Sequence, residues 1–208
     1  MKKLSSSITN MVIVLTLIAI VAGGILAYVN NVTAPQIAEI NEEKLNSGIK
    51  EVMGGGEVTV SSQDTVKSVI NNKEKQFIVY NVNDGSSNEL GKAIETNENG
   101  FGGNLKVLVG FDTNGNILGY TILEHSETPG LGAKAGLWFQ KEGKGNIIGM
   151  NPGKDNLTVS KDGGDVDAIT ASTITSRAFL LAIKNAYDEI YQKGDSKSST
   201  TEQTKAQN

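Results

Sequence analysis

The feature that most constrains this chain is an uncharged apolar run near its N-terminus, MVIVLTLIAIVAGGILAYV, at residues 11–29. An α-helix rises about 1.5 Å per residue, so a run of this length crosses a bilayer core of about 30 Å. Lys2 and Lys3 precede the run, and Tyr28 lies at its far edge. From the positive-inside rule we expect residues 1–9 in the cytoplasm, a transmembrane helix over 10–29, and the remaining chain outside.

A cleaved signal peptide is the alternative interpretation of this run. The apolar region of a signal peptide is usually shorter, and no clear small-x-small site precedes a polar boundary here. We therefore expect a retained anchor in the lipid bilayer of the cell membrane. The sequence has no second apolar run of this length, so a single N-terminal transmembrane helix is predicted.

Composition excludes several classes of function. The sequence has no cysteine and one histidine, which excludes disulfides and cysteine nucleophiles, and we predict no metal site. Without Lys2 and Lys3 the chain keeps 17 basic and 23 acidic residues, a net charge of −6. Nucleic-acid binding requires clustered cations that face phosphates, so no nucleic-acid partner is expected.

After the anchor, Thr33 and Pro35 are typical of a helix start and predict a juxtamembrane helix over 30–55, which three glycines end. QFIVYNV and GKAIET are predicted strands that flank a polar loop, and LKVLVGFD and NILGYTILEH form a predicted hairpin around TNG. NIIGM and NLTVS are weaker strand candidates, and AGLWFQ fits either a short helix or a strand.

The last helix is predicted from Thr173 to about residue 193, because apolar residues recur there at helical spacing. The polar tail 194–208 is expected to be disordered. Together these elements predict an α+β fold, an antiparallel sheet with packed helices, in a domain over 56–193.

Two glycine-rich stretches could carry chemistry. In GFGGN, at 100–104, the glycines allow close backbone approach, although a loop before a strand is the simpler interpretation. In HSETPGLGAK, at 125–134, Thr128 and its two successors have the chemistry of a tight turn. A lone histidine such as His125 is more often structural than catalytic, and no catalytic residue is predicted.

The third stretch is DAITASTITS, at 167–176, where hydroxyl side chains gather just before the last helix. Ser172 or Thr173 can cap that helix, and one hydroxyl suffices for this. A helix N-terminus also favours a phosphate, so a hydroxyl here could accept a phosphoryl-linked group. The residues alone leave both possibilities open.

Taken in order, the anchor, GFGGNLKVLVGFDTNGNILGYTILEHSETPGLG and DAITASTITS resemble the G subunit of the Rnf electron-transport complex and the related C subunit of the sodium-pumping NADH:quinone reductase. The attachment motif of that family reads Asp-x-x-Ser/Thr-Gly-Ala-Thr, and FMN is joined through its phosphate to the last threonine. Asp167, Thr170 and Thr173 match the motif, whereas Ala171 and Ser172 stand where glycine and alanine are usual.

The resemblance implies that FMN is attached to Thr173 and that a flavin transferase reads Asp167, with Ser172 and Thr175 as alternative acceptors. It also implies that a second set of residues lines the FMN site: Glu127, Thr128, Gly130, Leu131, Gly132, Lys134 and Trp138.

The implied function is that of an electron-carrying subunit without stand-alone catalysis. Its partners would be the other Rnf subunits, in a complex that passes electrons between ferredoxin and NAD⁺ and moves Na⁺ or H⁺. The FMN domain would lie on the extracytoplasmic side. Two alternatives remain from the sequence: a covalent flavoprotein of another extracytoplasmic electron pathway, and a non-redox anchored binding domain.

Overall fold

The computed structural model describes residues 8–70 and 72–192. The chain forms two compact units, Met1–Lys44 and Leu45–Asn208. The predicted disordered tail, 194–208, and most of the predicted cytoplasmic segment, 1–9, lie outside the described residues.

Helix α1, Ile8–Val52, is one continuous α-helix. An 18-residue window within it has a mean hydropathy of 2.7, so it is long and apolar enough to cross a membrane. Residues 30–52 of the helix predicted over 30–55 are helical as part of α1, and Thr33 does not begin a separate element. The Thr33 hydroxyl donates to the Val29 carbonyl at 2.9 Å, and Pro35 lies inside the helix. A second helix would need a second costly nucleation, whereas continuing through one proline costs one backbone hydrogen bond and a local clash of the ring with the carbonyl four residues back.

The second unit contains a five-stranded antiparallel sheet whose strands are neighbours in chain order. The strands are β1 (Val58–Ile70), β2 (Lys73–Asp84), β3 (Glu89–Asn99), β4 (Asn104–Asp112) and β5 (Ile117–His125). The four strands expected from the sequence, β2 to β5, are confirmed. Strand β1 was missed because it is a mostly exposed edge strand, whose apolar residues alternate with polar ones only over short stretches.

The segment between β5 and the last helix contains little regular structure. The strands predicted at NIIGM and NLTVS are wrong, and only an isolated bridge joins Val159 to Val166. AGLWFQ provides a short helix, α2 (Ala135–Trp138). Short apolar runs without a neighbouring strand to pair with remain turns, because strand pairing and not the run itself fixes the backbone.

Helix α3, Thr173–Tyr187, packs on β3 and β4, and a π-helical turn, Asp188–Gln192, follows it. The predicted start at Thr173 is confirmed. The ring of Phe179 stacks on Phe139, with centroids 4.5 Å apart, and meets Tyr120 edge-on at 4.7 Å. These aromatic contacts hold the middle of α3 against β5 and the segment that follows it. The α+β architecture is confirmed.

The end of α1 belongs to the second unit and covers the other face of the sheet. Ile49 and Val52 are buried there in a cluster with Tyr80, Val82, Ala93 and Leu108. A Cβ atom on Gly110 would lie 2.4 Å from the Val52 carbonyl oxygen, so the glycine permits this close approach. The compact unit accordingly begins at Leu45, inside the segment predicted as juxtamembrane.

Candidate functional site

A cleft of about 400 Å³ opens where the three sequence stretches meet. GFGGN connects β3 to β4, ETPGLG follows β5, and the third stretch leads into α3. The cleft is lined by residues from all three: Phe101, Glu127, Thr128, Leu131, Gly132, Ala171, Ser172, Thr173 and Ile174. The fold therefore joins three stretches that are far apart in the sequence into one surface.

The buried carboxylate of Glu127 ties these three stretches together. Its Oε2 accepts a hydrogen bond from the Thr175 hydroxyl at 2.8 Å, and its Oε1 accepts one from the backbone N–H of Gly102 at 3.1 Å. The backbone N–H of Glu127 itself donates to Nδ1 of His125 at 3.2 Å. A buried carboxylate is costly unless it is hydrogen-bonded, so these contacts hold Glu127 in one position. His125 thus has the structural role expected of a lone histidine.

The glycines around Glu127 are required by space. A Cβ atom on Gly100 would lie 2.0 Å from Oε1 of Glu127, and one on Gly132 would lie 2.3 Å from Oε2. A Cβ atom on Gly102 would lie 2.1 Å from the Ser126 carbonyl oxygen. The two glycine-rich stretches consequently pack backbone against backbone, which is the close approach that the GFGGN sequence permits.

Two of the hydroxyls near the start of α3 serve internal contacts. Thr175 is fully buried and donates to Glu127. Ser176 is also fully buried; its hydroxyl donates to the Ser172 carbonyl at 3.0 Å and accepts from the N–H of Ile169 at 3.0 Å. Thr175, which the resemblance offered as an alternative acceptor, is therefore poorly placed to react with an external group.

Among the hydroxyls of the stretch before α3 that line the cleft, the accessible one belongs to Thr173, the first residue of α3, which is partly exposed. The exposed Thr128 also lines the cleft, but it belongs to the ETPGLG loop. Ser172 occupies the N-cap position but is buried, and its side chain makes no capping hydrogen bond. Of the two residues that could cap the helix, Ser172 therefore makes no side-chain cap, and its hydroxyl does not bond to the N–H groups of the first turn. Thr170 is exposed but does not belong to the cleft lining.

Ala171 has a left-handed backbone, with φ of +61°. This conformation is disfavoured for residues with a Cβ atom and is usually taken by glycine. It explains in physical terms why glycine is usual at this motif position. The turn at Ala171 directs the chain from the exposed Thr170 into the buried Ser172 and the start of α3.

Several residues assigned by resemblance lie outside the described cleft lining. The indole N–H of Trp138 donates to the Asp167 carbonyl at 2.8 Å, and Trp138 packs partly against the main core. The exposed carboxylate of Asp167 accepts from the Ser160 hydroxyl at 3.2 Å. Gly130 and Lys134 are exposed. Trp138 and Asp167 therefore brace the loop before α3.

The cleft also has apolar walls that sequence reasoning largely missed. Phe101 is 72% exposed, Ile174 is 52% exposed and Leu131 is 41% exposed. Exposed apolar side chains grouped around a cleft are typical of a ligand site. Of these three, the sequence assigned only Leu131 to the site. The glycines on both sides of Phe101 were a usable signal, whereas the direction of Ile174 depends on how α3 is rotated.

A second hollow, of about 370 Å³, lies on the sheet, but its charges do not suit an anionic ligand. It is lined by Glu74, Gln76, Ile78, Glu95, Thr96, Asn97 and Lys106. The one lysine in this lining, Lys106, is paired with Glu95 at 3.1 Å, and Glu74 is paired with Lys67 at 3.7 Å, so the lining has no unpaired cation for an anionic ligand. The cleft at the start of α3 is therefore the better candidate site.

Comparison with known proteins agrees with this choice. Residues 100–188 match the FMN-binding domain, and residues 1–52 match the RnfG N-terminal region. The first match includes every residue that lines the cleft.

Curated relatives extend the similarity over most of the chain. The chain is 33% identical over 181 residues to the G subunit of the ion-translocating oxidoreductase complex of Shewanella baltica, which covers 83% of this chain and 84% of the relative. It is 30% identical over 187 residues to the protein of the same name from Methanosarcina acetivorans, with 89% and 96% covered. The Vibrio cholerae protein is 40% identical over 107 residues, about half of each chain.

Proposed function

Because this chain belongs to the family of G subunits of ion-translocating oxidoreductase complexes, we propose that it carries FMN as a covalent phosphoester on the hydroxyl of Thr173. The sequence resemblance to the Rnf family is thereby confirmed. The family, the FMN-binding domain and the apolar helix identify a membrane-localised electron-transport flavoprotein. The covalent link, its position and the orientation in the membrane belong to the proposal.

The observation that carries the proposal is the accessibility of Thr173. Its side chain is partly exposed in the cleft, whereas Ser172 and Thr175 are buried. A bulky flavin transferase and its substrate need an acceptor oxygen that they can reach. Among the hydroxyls of this stretch that line the cleft, Thr173 meets that requirement best.

The chemistry of the cleft fits both parts of FMN. The Ser172 side chain makes no capping hydrogen bond at the start of α3, so first-turn N–H groups and the helix dipole favour a phosphate there. The exposed side chains of Phe101, Leu131 and Ile174 offer apolar surface to a flat ring system. Bound FMN would supply electron transfer in one- or two-electron steps.

The protein residues have holding and shaping roles in this proposal. Glu127 fixes the distance between the GFGGN and ETPGLG loops and α3, and so sets the width of the cleft. A covalent link prevents loss of the cofactor and fixes its local concentration. No acid, base or nucleophile of the chain is needed for electron transfer itself.

The wider setting follows from the family name and is part of the same proposal. The chain would work with the other subunits of an Rnf-type complex that transfers electrons between ferredoxin and NAD⁺ and translocates Na⁺ or H⁺. The N-terminus would lie inside the cell and the flavin domain outside. The exposed Asp167 carboxylate, held by Ser160, would be accessible to the flavin transferase during maturation.

The test is intact mass and in-gel flavin fluorescence of the full chain co-expressed with a flavin transferase. The wild-type chain should gain the mass of one FMN less one water. Thr173→Ala should abolish the gain, Thr173→Ser should retain it, and Thr170→Ala is the matched control because its hydroxyl is exposed outside the cleft lining.

A mass gain that survives Thr173→Ala would move the acceptor to Ser172 or Thr175, both of which are buried, and would contradict the accessibility argument. No gain in any variant would remove the covalent link and favour a chain in which these hydroxyls serve only the fold.

A further inference from the structure

We infer that Lys161 supplies the counter-charge for the phosphate on Thr173 and speeds its attachment. This inference rests on the proposed function. Lys161 belongs to a 3₁₀ turn, Ser160–Asp162, that lies beside the start of α3. Its ammonium donates a hydrogen bond to the Thr173 hydroxyl oxygen at 3.4 Å. Lys161 thus contacts the oxygen that would become bonded to phosphorus.

The neighbours of Lys161 hold this turn against α3. Asp162 accepts two hydrogen bonds from the Arg177 guanidinium, at 2.6 and 2.7 Å. Ser160 donates its hydroxyl to Asp167 at 3.2 Å. Arg177 follows Thr173 by four positions, so both lie on the same face of α3, and the turn contacts that face at two successive levels. Lys161 therefore sits between two braced residues.

The charge of Lys161 distinguishes it from Arg177. Arg177 is neutralised by Asp162, whereas Lys161 forms no ion pair among the residues that the structure describes. A cation beside a helix N-terminus is disfavoured by the helix dipole, which is positive at that end. An anion bound at the same point reverses this effect, because it is attracted by both the helix end and the ammonium. The position of the Lys161 ammonium beside the N-terminus of α3 is thus unfavourable by itself and becomes favourable when a phosphate binds there.

The attachment reaction creates such an anion at Thr173. With flavin adenine dinucleotide as donor, a bond forms between the Thr173 oxygen and the phosphorus of the FMN half. The bond from that phosphorus to the oxygen bridging to AMP breaks. AMP leaves, the proton of the Thr173 hydroxyl passes to solvent, and the product is a phosphodiester with one negative charge. Lys161 contributes positive charge and hydrogen bonding as the phosphate approaches, and takes no proton.

The experiment is a time course of FMN attachment to the full chain with purified flavin transferase and flavin adenine dinucleotide, followed by intact mass. Lys161→Gln should slow attachment about tenfold at low salt, the effect of losing one charge-assisted hydrogen bond. Lys161→Arg keeps the charge and should remain close to the wild-type rate. Lys154→Gln is the matched control, since Lys154 is exposed on the preceding loop and its loss changes the net charge equally.

A second readout separates charge from fold. Raising the salt concentration should lower the rate of FMN attachment to the wild-type chain and reduce its difference from the rate of Lys161→Gln. The reason is that Lys161 is exposed, so salt screens its attraction to the phosphate. Circular dichroism of each variant establishes that the domain is folded. Equal rates for Lys161→Gln and wild type, or a salt-independent difference, would overturn the inference while Thr173 attachment stands. No attachment to the wild-type chain would overturn the proposed function and this inference with it.

Discussion

Replacing Ala171 by glycine should stabilise the second unit, because Ala171 has a left-handed backbone with φ of +61°. This conformation costs a residue with a Cβ atom roughly 1–2 kcal/mol. Glycine lacks that cost but loses about 0.5–1 kcal/mol more through the greater freedom of the unfolded chain. Ala171 is exposed, so removing its methyl group sacrifices little buried surface. The expected net gain in the free energy of unfolding is therefore about 0.5–1 kcal/mol.

Urea unfolding in detergent measures this gain, with the fluorescence of Trp138, the single tryptophan, as the probe. The midpoint should rise while the slope stays unchanged. In a thermal scan, a gain of this size corresponds to a rise of about 1–4 °C for a unit of this length. Ala168→Gly is the control for backbone conformation, since Ala168 is near in sequence and is not among the residues with positive φ; its methyl group packs partly against the main core, so its loss also removes a little buried surface.

The two alanine variants should move in opposite directions. Ala168→Gly carries the entropy cost without strain relief and should lower the free energy of unfolding by about 0.5–1 kcal/mol. A similar loss in Ala171→Gly would refute the reasoning, because it would mean that the left-handed conformation carries no strain at this position.

Two further predictions concern burial. Glu127→Ala should lower the free energy of unfolding by roughly 2–3 kcal/mol in the same urea assay, because it leaves the fully buried Thr175 hydroxyl without its acceptor. Glu127→Gln keeps an acceptor oxygen and should lower the free energy of unfolding by less. An unchanged urea midpoint in Glu127→Ala would contradict the bracing role of Glu127. Alkaline pH should also destabilise the unit, since burial raises the pKa of Tyr80 to about 12 and raises the pKa values of Tyr120 and Tyr191 as well. Above about pH 10 the unfolded chain loses these phenolic protons, whereas the folded chain keeps them. The free energy of unfolding therefore has its full contribution from these tyrosines below about pH 10 and declines as the pH rises from there. Urea midpoints of the wild-type chain, measured from pH 8 to 11, check this prediction. In Tyr80→Phe the midpoint should decline less over the same range. A wild-type midpoint that does not change with pH would contradict the argument.

Local patterns were sufficient for most of the fold. Turn signals such as TNG between alternating apolar runs predicted the β4–β5 hairpin, since a hairpin forms between neighbouring segments. The apolar spacing of α3 likewise predicted its buried face. Strand β1 could not be predicted in this way, because its position depends on pairing with β2 and not on burial of its own side chains.

The helix through Pro35 shows the opposite limit of local rules. Thr33 and Pro35 together are a common helix start, yet α1 passes through both. A local sequence signal shows which conformations a residue can adopt, and proline can occupy the first turn of a helix without requiring that a helix begin there. Whether a new helix begins there depends on the segments on both sides, which here form one continuous helix.

By itself, the sequence determined that this chain has one apolar anchor, an antiparallel sheet, a final helix and a hydroxyl-rich stretch just before that helix. Each of these features follows from the periodicity or the length of one continuous segment. Its motifs also carried the family resemblance. Tertiary structure decided which hydroxyl is accessible and what surrounds it. The contact between Glu127 and Thr175 joins residues 48 positions apart, and the contact of Lys161 with Thr173 depends on a turn with no regular pattern. Such contacts depend on how the loops pack against α3, so only the folded chain fixes the accessibility of Thr173 and the positive charge beside it.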